Sequence, residues 1–110
     1  MKNLEGKTAV ITGGARGMGE ATVRVFAEAG ANVVIADLLE SEGNQLADEL
    51  GAKVKFQRLD VTSEESWENL IAFTHSEFGC IDALVNNAGI VLFKAVQDTE
   101  KADFEKVLSV

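Results

Sequence analysis

The sequence predicts an α/β fold, a doubly wound parallel sheet with helices on both faces. Three observations carry this. Short apolar, β-branched runs alternate with amphipathic stretches of helical length. One run, Val33-Val34-Ile35-Ala36, is apolar throughout, the pattern of a parallel strand covered on both faces. A glycine-rich turn, Thr12-Gly13-Gly14-Ala15-Arg16-Gly17-Met18-Gly19, joins the first run to the first amphipathic stretch.

Taken in order, Lys7 to Thr12 reads as the first strand. The helix after the glycine turn runs through Ala29 and places Ala21, Val25, Phe26 and Ala29 on one face, with Gly30 as its terminating glycine. Ala31 to Asp37 is the second strand. Ser41 to Leu50 is a helix closed by Gly51, and Val54 to Leu59 is the third strand. Thr62 or Ser63 caps the next helix, with Glu65 three residues beyond Thr62 in a capping-box pattern. That helix runs to about Phe78 and lines up Trp67, Leu70, Ile71 and Thr74. Asp82 to Asn86 is the fourth strand, Ile90 to Gln97 a loop, and Asp98 or Thr99 starts a last helix through Phe104, Val107 and Leu108. Right-handed crossovers then set the strand order 3-2-1-4. The order reverses between strands one and four, so a ligand crevice is expected at their C-terminal ends.

A strand, a glycine turn and a helix start form the context in which glycine spacing points to a bound dinucleotide. Free backbone N–H groups and the positive end of the helix dipole both favour a phosphate there. The spacing is G-x-x-x-G-x-G, with Thr12 in front. Three more segments follow at strand ends: Ala36-Asp37, Asp60-Val61-Thr62 and Asn86-Asn87-Ala88-Gly89. Together, and with Gly79-Cys80-Ile81-Asp82-Ala83-Leu84-Val85 leading into the last, they resemble the classical short-chain dehydrogenase/reductase family. The resemblance covers essentially the whole chain. It implies a Rossmann-like fold and a nicotinamide cofactor.

The resemblance also assigns candidate cofactor-binding residues. Gly13, Gly17, Met18 and Gly19 form the turn, and Arg16 is either a cofactor contact or a solvated charge. Asp37 lies 18 residues after Gly19, close to the spacing of a ribose-binding acid. A carboxylate there accepts from the adenosine hydroxyls and repels a 2′-phosphate. Leu38 follows, where NADP-dependent relatives often carry arginine. NAD(H) is therefore expected over NADP(H), with a helix-capping Asp37 as the plainer reading. Asp60 and Val61 are expected at the adenine, unless Asp60 only caps a turn. Asn87, Ala88 and Gly89 are expected near the nicotinamide ribose, and Asn86 in a structural role.

Composition bounds the rest. The net charge of −8 leaves no basic stripe for nucleic acid. No apolar run approaches the roughly 18 residues of a membrane helix, and the single cysteine, Cys80, fits a reducing, cytoplasmic setting. His75 reads as a surface histidine, Trp67 as core or interface, and Glu40, Glu42, Asp48 and Glu49 as a solvated helix face. A homo-oligomer is expected.

The family's hydride transfer uses a Ser, a Tyr-x-x-x-Lys pair and an Asn. The sequence has no tyrosine, and none of its serines matches the catalytic position. Residues 1–110 thus read as the N-terminal, cofactor-binding half of an alcohol/ketone oxidoreductase, without a general acid of its own. Strand four is then expected to present an open edge. The other readings are a non-catalytic dinucleotide-binding module and an S-adenosylmethionine-dependent methyltransferase. The Thr-led spacing and the Asn86-Asn87-Ala88-Gly89 segment count against the last.

Overall fold

The computed structural model describes residues 3–86 and 90–92. The elements run β1 (Thr8–Thr12), α1 (Gly17–Glu28), β2 (Asn32–Asp37), α2 (Glu40–Leu50), β3 (Val54–Arg58), α3 (Glu64–Phe78), β4 (Ala83–Asn86) and β5 (Ile90–Leu92). The sheet order is β3-β2-β1-β4-β5. The first four strands are parallel, in the order 3-2-1-4 that the crossover rule requires. Asn87, Ala88, Gly89 and the expected helix from residue 98 lie outside the described residues.

β5 departs from expectation. Residues 90–92 form a strand antiparallel to β4, with Leu84 opposite Leu92 and Asn86 opposite Ile90, where the sequence suggested a loop. The outer edge of β4 is therefore paired and not open. Local pattern carries little of this strand. On one side it pairs with β4, and its apolar, β-branched run is compatible with a strand but too short at three residues to stand out from a loop.

The sheet separates two apolar layers. Val10, Val34, Ala36 and Leu84 face α3 and pack with Trp67 and Leu70. Ile11, Val33, Ile35 and Val54 face the other way, against Val23 of α1 and Leu46 and Ala47 of α2. Alternate residues of one strand thus serve opposite layers, which is why β1 and the interior of β2 are buried at every position. Ile11, Ile35 and Leu70 are fully buried, each worth about 1.5–3 kcal/mol in transfer free energy.

α1 is rotated from its expected phase. Of the expected face, Phe26 packs in the α1/α2 layer, but Ala21 and Val25 are exposed, and Gly19 and Val23 are the buried positions. The helix turns Gly19 inward, because the Gly13 carbonyl lies where a Cβ of residue 19 would stand. It ends in paired bonds: Gly30 N–H donates to Ala27 O and Ala31 N–H to Phe26 O, with Gly30 at φ 95°. This is the Schellman arrangement just past the last helical residue. At α3 the cap is Ser63, not Thr62. Its Oγ accepts from Ser66 N–H at 3.1 Å, and Glu65 makes no capping box because it falls in the wrong place relative to Ser63.

Candidate functional site

The C-terminal ends of β1, β2 and β3 form one rim. At its centre β1 runs into the glycine turn, and Gly13 N–H donates to Ala36 O at 2.8 Å, which extends the β1–β2 ladder past Thr12. Gly13 and Gly17 sit at φ 65° and 64°, a region that side chains strain to enter. Gly19 answers a different need. A Cβ there would fall on the carbonyl oxygen of Gly13. Two of the glycines thus fix the path of the turn, and the third lets α1 sit down on it. Gly14 is also tight, since a Cβ would meet Val23 Cγ2 at 3.0 Å and Ile11 O at 3.1 Å.

The N-terminus of α1 carries no side-chain cap. Its N-cap is Arg16, in extended conformation, which offers no acceptor. The first-turn N–H groups of a helix have no intrahelical acceptor. At α1 they open onto a groove of about 540 Å³ lined by Gly13, Gly17, Met18, Asp37 and Leu38. Polar backbone donors, a positive dipole end and no competing carboxylate cap are the donor set that suits a pyrophosphate.

Asp37 is fixed by two backbone groups. Oδ2 accepts from Ala15 N–H at 3.0 Å and Oδ1 from Leu39 N–H at 3.1 Å. The second bond is a local turn that leads the chain into α2. The first crosses from β2 to the glycine turn. Each carboxylate oxygen has two acceptor directions, so both bonds leave capacity for ligand hydroxyls. The capping role and a ribose-binding role are therefore compatible at this residue.

The third rim segment is also braced. Asp60 Oδ1 accepts from Thr62 N–H at 2.9 Å and from Thr62 Oγ1 at 2.6 Å. The Thr62 hydroxyl, then its N–H, holds the Asp60 carboxyl below the usual aspartate range, with a smaller contribution from the charge of Arg58. Asp60 N–H donates to Ser66 Oγ at 2.9 Å, and Trp67 Nε1 donates to Val61 O at 3.0 Å. Trp67 is thus a core residue that also pins the turn, and Val61 projects outward at 61 % exposure. Met18 at 81 % and Leu38 at 53 % do the same. Of the four exposed large hydrophobic residues among those described, three stand on this rim.

The structure thus brings Gly13, Arg16, Gly17, Met18, Asp37 and Leu38 around one groove. Asp60 and Val61 stand at the end of the neighbouring strand, and Asn87, Ala88 and Gly89 lie outside the described residues. Sequence reasoning missed the supporting groups: the Ala15 N–H, the Leu39 N–H and the Thr62 and Ser66 hydroxyls. Leu39 and Thr62 had a signal, since a residue two positions after Asp is placed for an Asx turn.

A sequence profile of the short chain dehydrogenase family matches residues 7–110. The chain belongs to the short-chain dehydrogenase family. It is 44 % identical over 113 residues to tropinone reductase-like 1 of Erythroxylum coca, covering 99 % of this chain and 42 % of that protein. It is 40 % identical over 107 residues to a 3-beta-hydroxysteroid dehydrogenase of Comamonas testosteroni, covering 97 % and 42 %. It is 43 % identical over 111 residues to (21S)-21-acetoxyl-apo-melianone synthase SDR of Melia azedarach, covering 99 % and 41 %. The chain spans about two-fifths of the length of these relatives. Membership makes it part of an oxidoreductase family that binds nicotinamide dinucleotides. No helix among the described residues is long and apolar enough to cross a membrane.

Proposed function

We propose that residues 1–110 form the NAD(H) site of an oxidoreductase acting on an alcohol/ketone pair. The observation that carries the reading is the carboxylate of Asp37, hydrogen-bonded to the Ala15 N–H at the edge of the α1 groove. In this reading the α1 N-terminus and the turn amides hold the pyrophosphate, and Asp37 accepts from the adenosine ribose hydroxyls. Leu38 and Val61 flank the adenine with apolar surface. The cofactor supplies the hydride acceptor or donor. This part of the protein binds it, orients it and keeps water from its apolar face.

Proton transfer to the substrate oxygen is assigned to residues outside 1–110, because these residues contain no tyrosine. Two measurements test the proposal. In the protein that carries this chain, NADH is titrated by its fluorescence, and secondary alcohols are assayed by nicotinamide absorbance. Saturable NADH binding with turnover supports it, and turnover without a nicotinamide cofactor would defeat it. Residues 1–110 by themselves are expected to give no turnover. A chain that binds NADH in the whole protein without any turnover would favour the binding-module reading.

A further inference from the structure

The β2–β3 register places Asp37 directly beside Arg58. The two belong to the same face of the sheet. Ile35, two residues before Asp37, and Phe56, two before Arg58, both pack in the α1/α2 layer. Neighbouring strands lie about 4.8 Å apart, so an arginine side chain at 58 spans the ground around the Asp37 carboxylate. Its guanidinium is held at present by Glu40 in the first turn of α2, with Nε 3.7 Å from Oε2. Both partners are about half exposed and the contact is long, so the pair exchanges readily with another anion. Arg58 also faces Asp60, whose carboxyl feels its positive charge. It stands at the end of β3, beside Asp37 in register and outside the residues that line the α1 groove, with Glu40 and Asp60 as its acidic neighbours.

We propose that Arg58 and Glu40 together set how strongly the site rejects a 2′-phosphate. Asp37 repels the phosphate. Glu40 engages a second cation beside Asp37, distinct from Arg16, which lines the groove itself. Released from Glu40, Arg58 is within reach of a phosphate on the 2′ oxygen, where a guanidinium pairs with two phosphate oxygens at once. Arg58 on β3 and Glu40 on α2 thus form a specificity determinant on different elements from the β2 acid that the glycine spacing singles out. This inference rests on the reading that Asp37 faces the adenosine ribose.

The test is a double-mutant cycle in the protein that carries this chain, reading the ratio of NADPH to NADH affinity by fluorescence titration. Glu40→Gln is expected to raise the ratio at least threefold. In the Arg58→Gln background the same change is expected to leave the ratio unmoved, and Arg58→Lys should retain part of the effect. A rise that persists with Arg58→Gln would mean that Glu40 acts only by its own charge, and the proposal falls. No rise with Glu40→Gln also overturns it. Circular dichroism melting of each variant separates a lost fold from a changed preference. If Asp37→Ala leaves the ratio at its wild-type value, the ribose is not at Asp37. The reading of the site then fails, independently of how Arg58 behaves.

Discussion

Asp37 Oδ2 accepts a hydrogen bond from Ala15 N–H at 3.0 Å, joining the end of β2 to the middle of the glycine turn. The contact spans 22 residues of sequence and makes the acid and the turn one unit. A substitution at Asp37 therefore acts in two ways. It removes a charge from the groove, and it frees the loop that shapes the groove.

Cofactor choice follows from the charge. NADH is expected to bind the protein that carries this chain at least tenfold more tightly than NADPH, about 1.4 kcal/mol, through repulsion between Asp37 and a 2′-phosphate. Asp37→Ala should narrow the gap and weaken both cofactors, because Ala15 N–H and Leu39 N–H lose their acceptor. Parallel titrations measure it. Equal affinities in the wild type would remove the case for Asp37 as the discriminating residue.

The glycine turn separates packing from binding. Gly19→Ala puts a Cβ onto the Gly13 carbonyl, which is backbone and has nowhere to go. A loss of about 1–3 kcal/mol or more in stability is expected, with NADH binding abolished, and Gly19→Val should be worse. Arg16→Ala touches no such contact and should keep the fold. Denaturant melts with NADH titration distinguish the two. A Gly19→Val protein that folds and binds normally would contradict the packing described.

The Asp60 carboxyl gives a pH signature. Its pKa is lowered, first by the Thr62 hydroxyl and then by the Thr62 N–H. A group held low in the folded state stabilises it above the unfolded pKa and loses that contribution as pH falls through the folded pKa. The effect is thus full at neutral pH and disappears in acid, below the ordinary aspartate range near 4. Thr62→Val removes the hydroxyl and keeps the N–H, so the Asp60 pKa should rise toward the ordinary value. Carboxyl NMR titration of the two proteins reads this directly, and an unchanged pKa would show that the Thr62 hydroxyl is not the cause.

The strands and the rim were legible because they rest on local pattern. Val33-Val34-Ile35-Ala36 is buried on both faces, and an all-apolar run says so without tertiary information. The phase of α1 was not legible in the same way. Apolar periodicity pointed to Ala21 and Val25, whereas the buried face is built around Gly19, whose role is to carry no side chain at all. Ile90 to Leu92 pairs with β4, and a run of three apolar residues is too short to reveal that partner in the sequence. Asp60 was read as either a turn cap or an adenine contact. Its bonds to Thr62 show the first role. Arg58 and Glu40 meet through strand register and the start angle of α2, which no spacing in the sequence displays.

Gly43 shows the same blindness to glycine in a core face, and it permits a decisive measurement. It lies inside α2, and a Cβ there would strike the ring of Phe56 on β3. Two effects of Gly43→Ala oppose each other. Helix propensity favours alanine over glycine by about 1 kcal/mol. Overpacking costs about 1–3 kcal/mol. Phe56 is only half buried, so its ring yields partly, and the net change in the wild type is expected to be a loss of up to about 2 kcal/mol. With Phe56→Ala the clash is gone and only propensity remains, so Gly43→Ala should then stabilise by about 1 kcal/mol. Denaturant unfolding of the four proteins in the cycle gives the coupling between the two positions. If Gly43→Ala has the same effect with and without the ring, α2 does not seat on Phe56, and the contact that sets its position over β3 lies elsewhere.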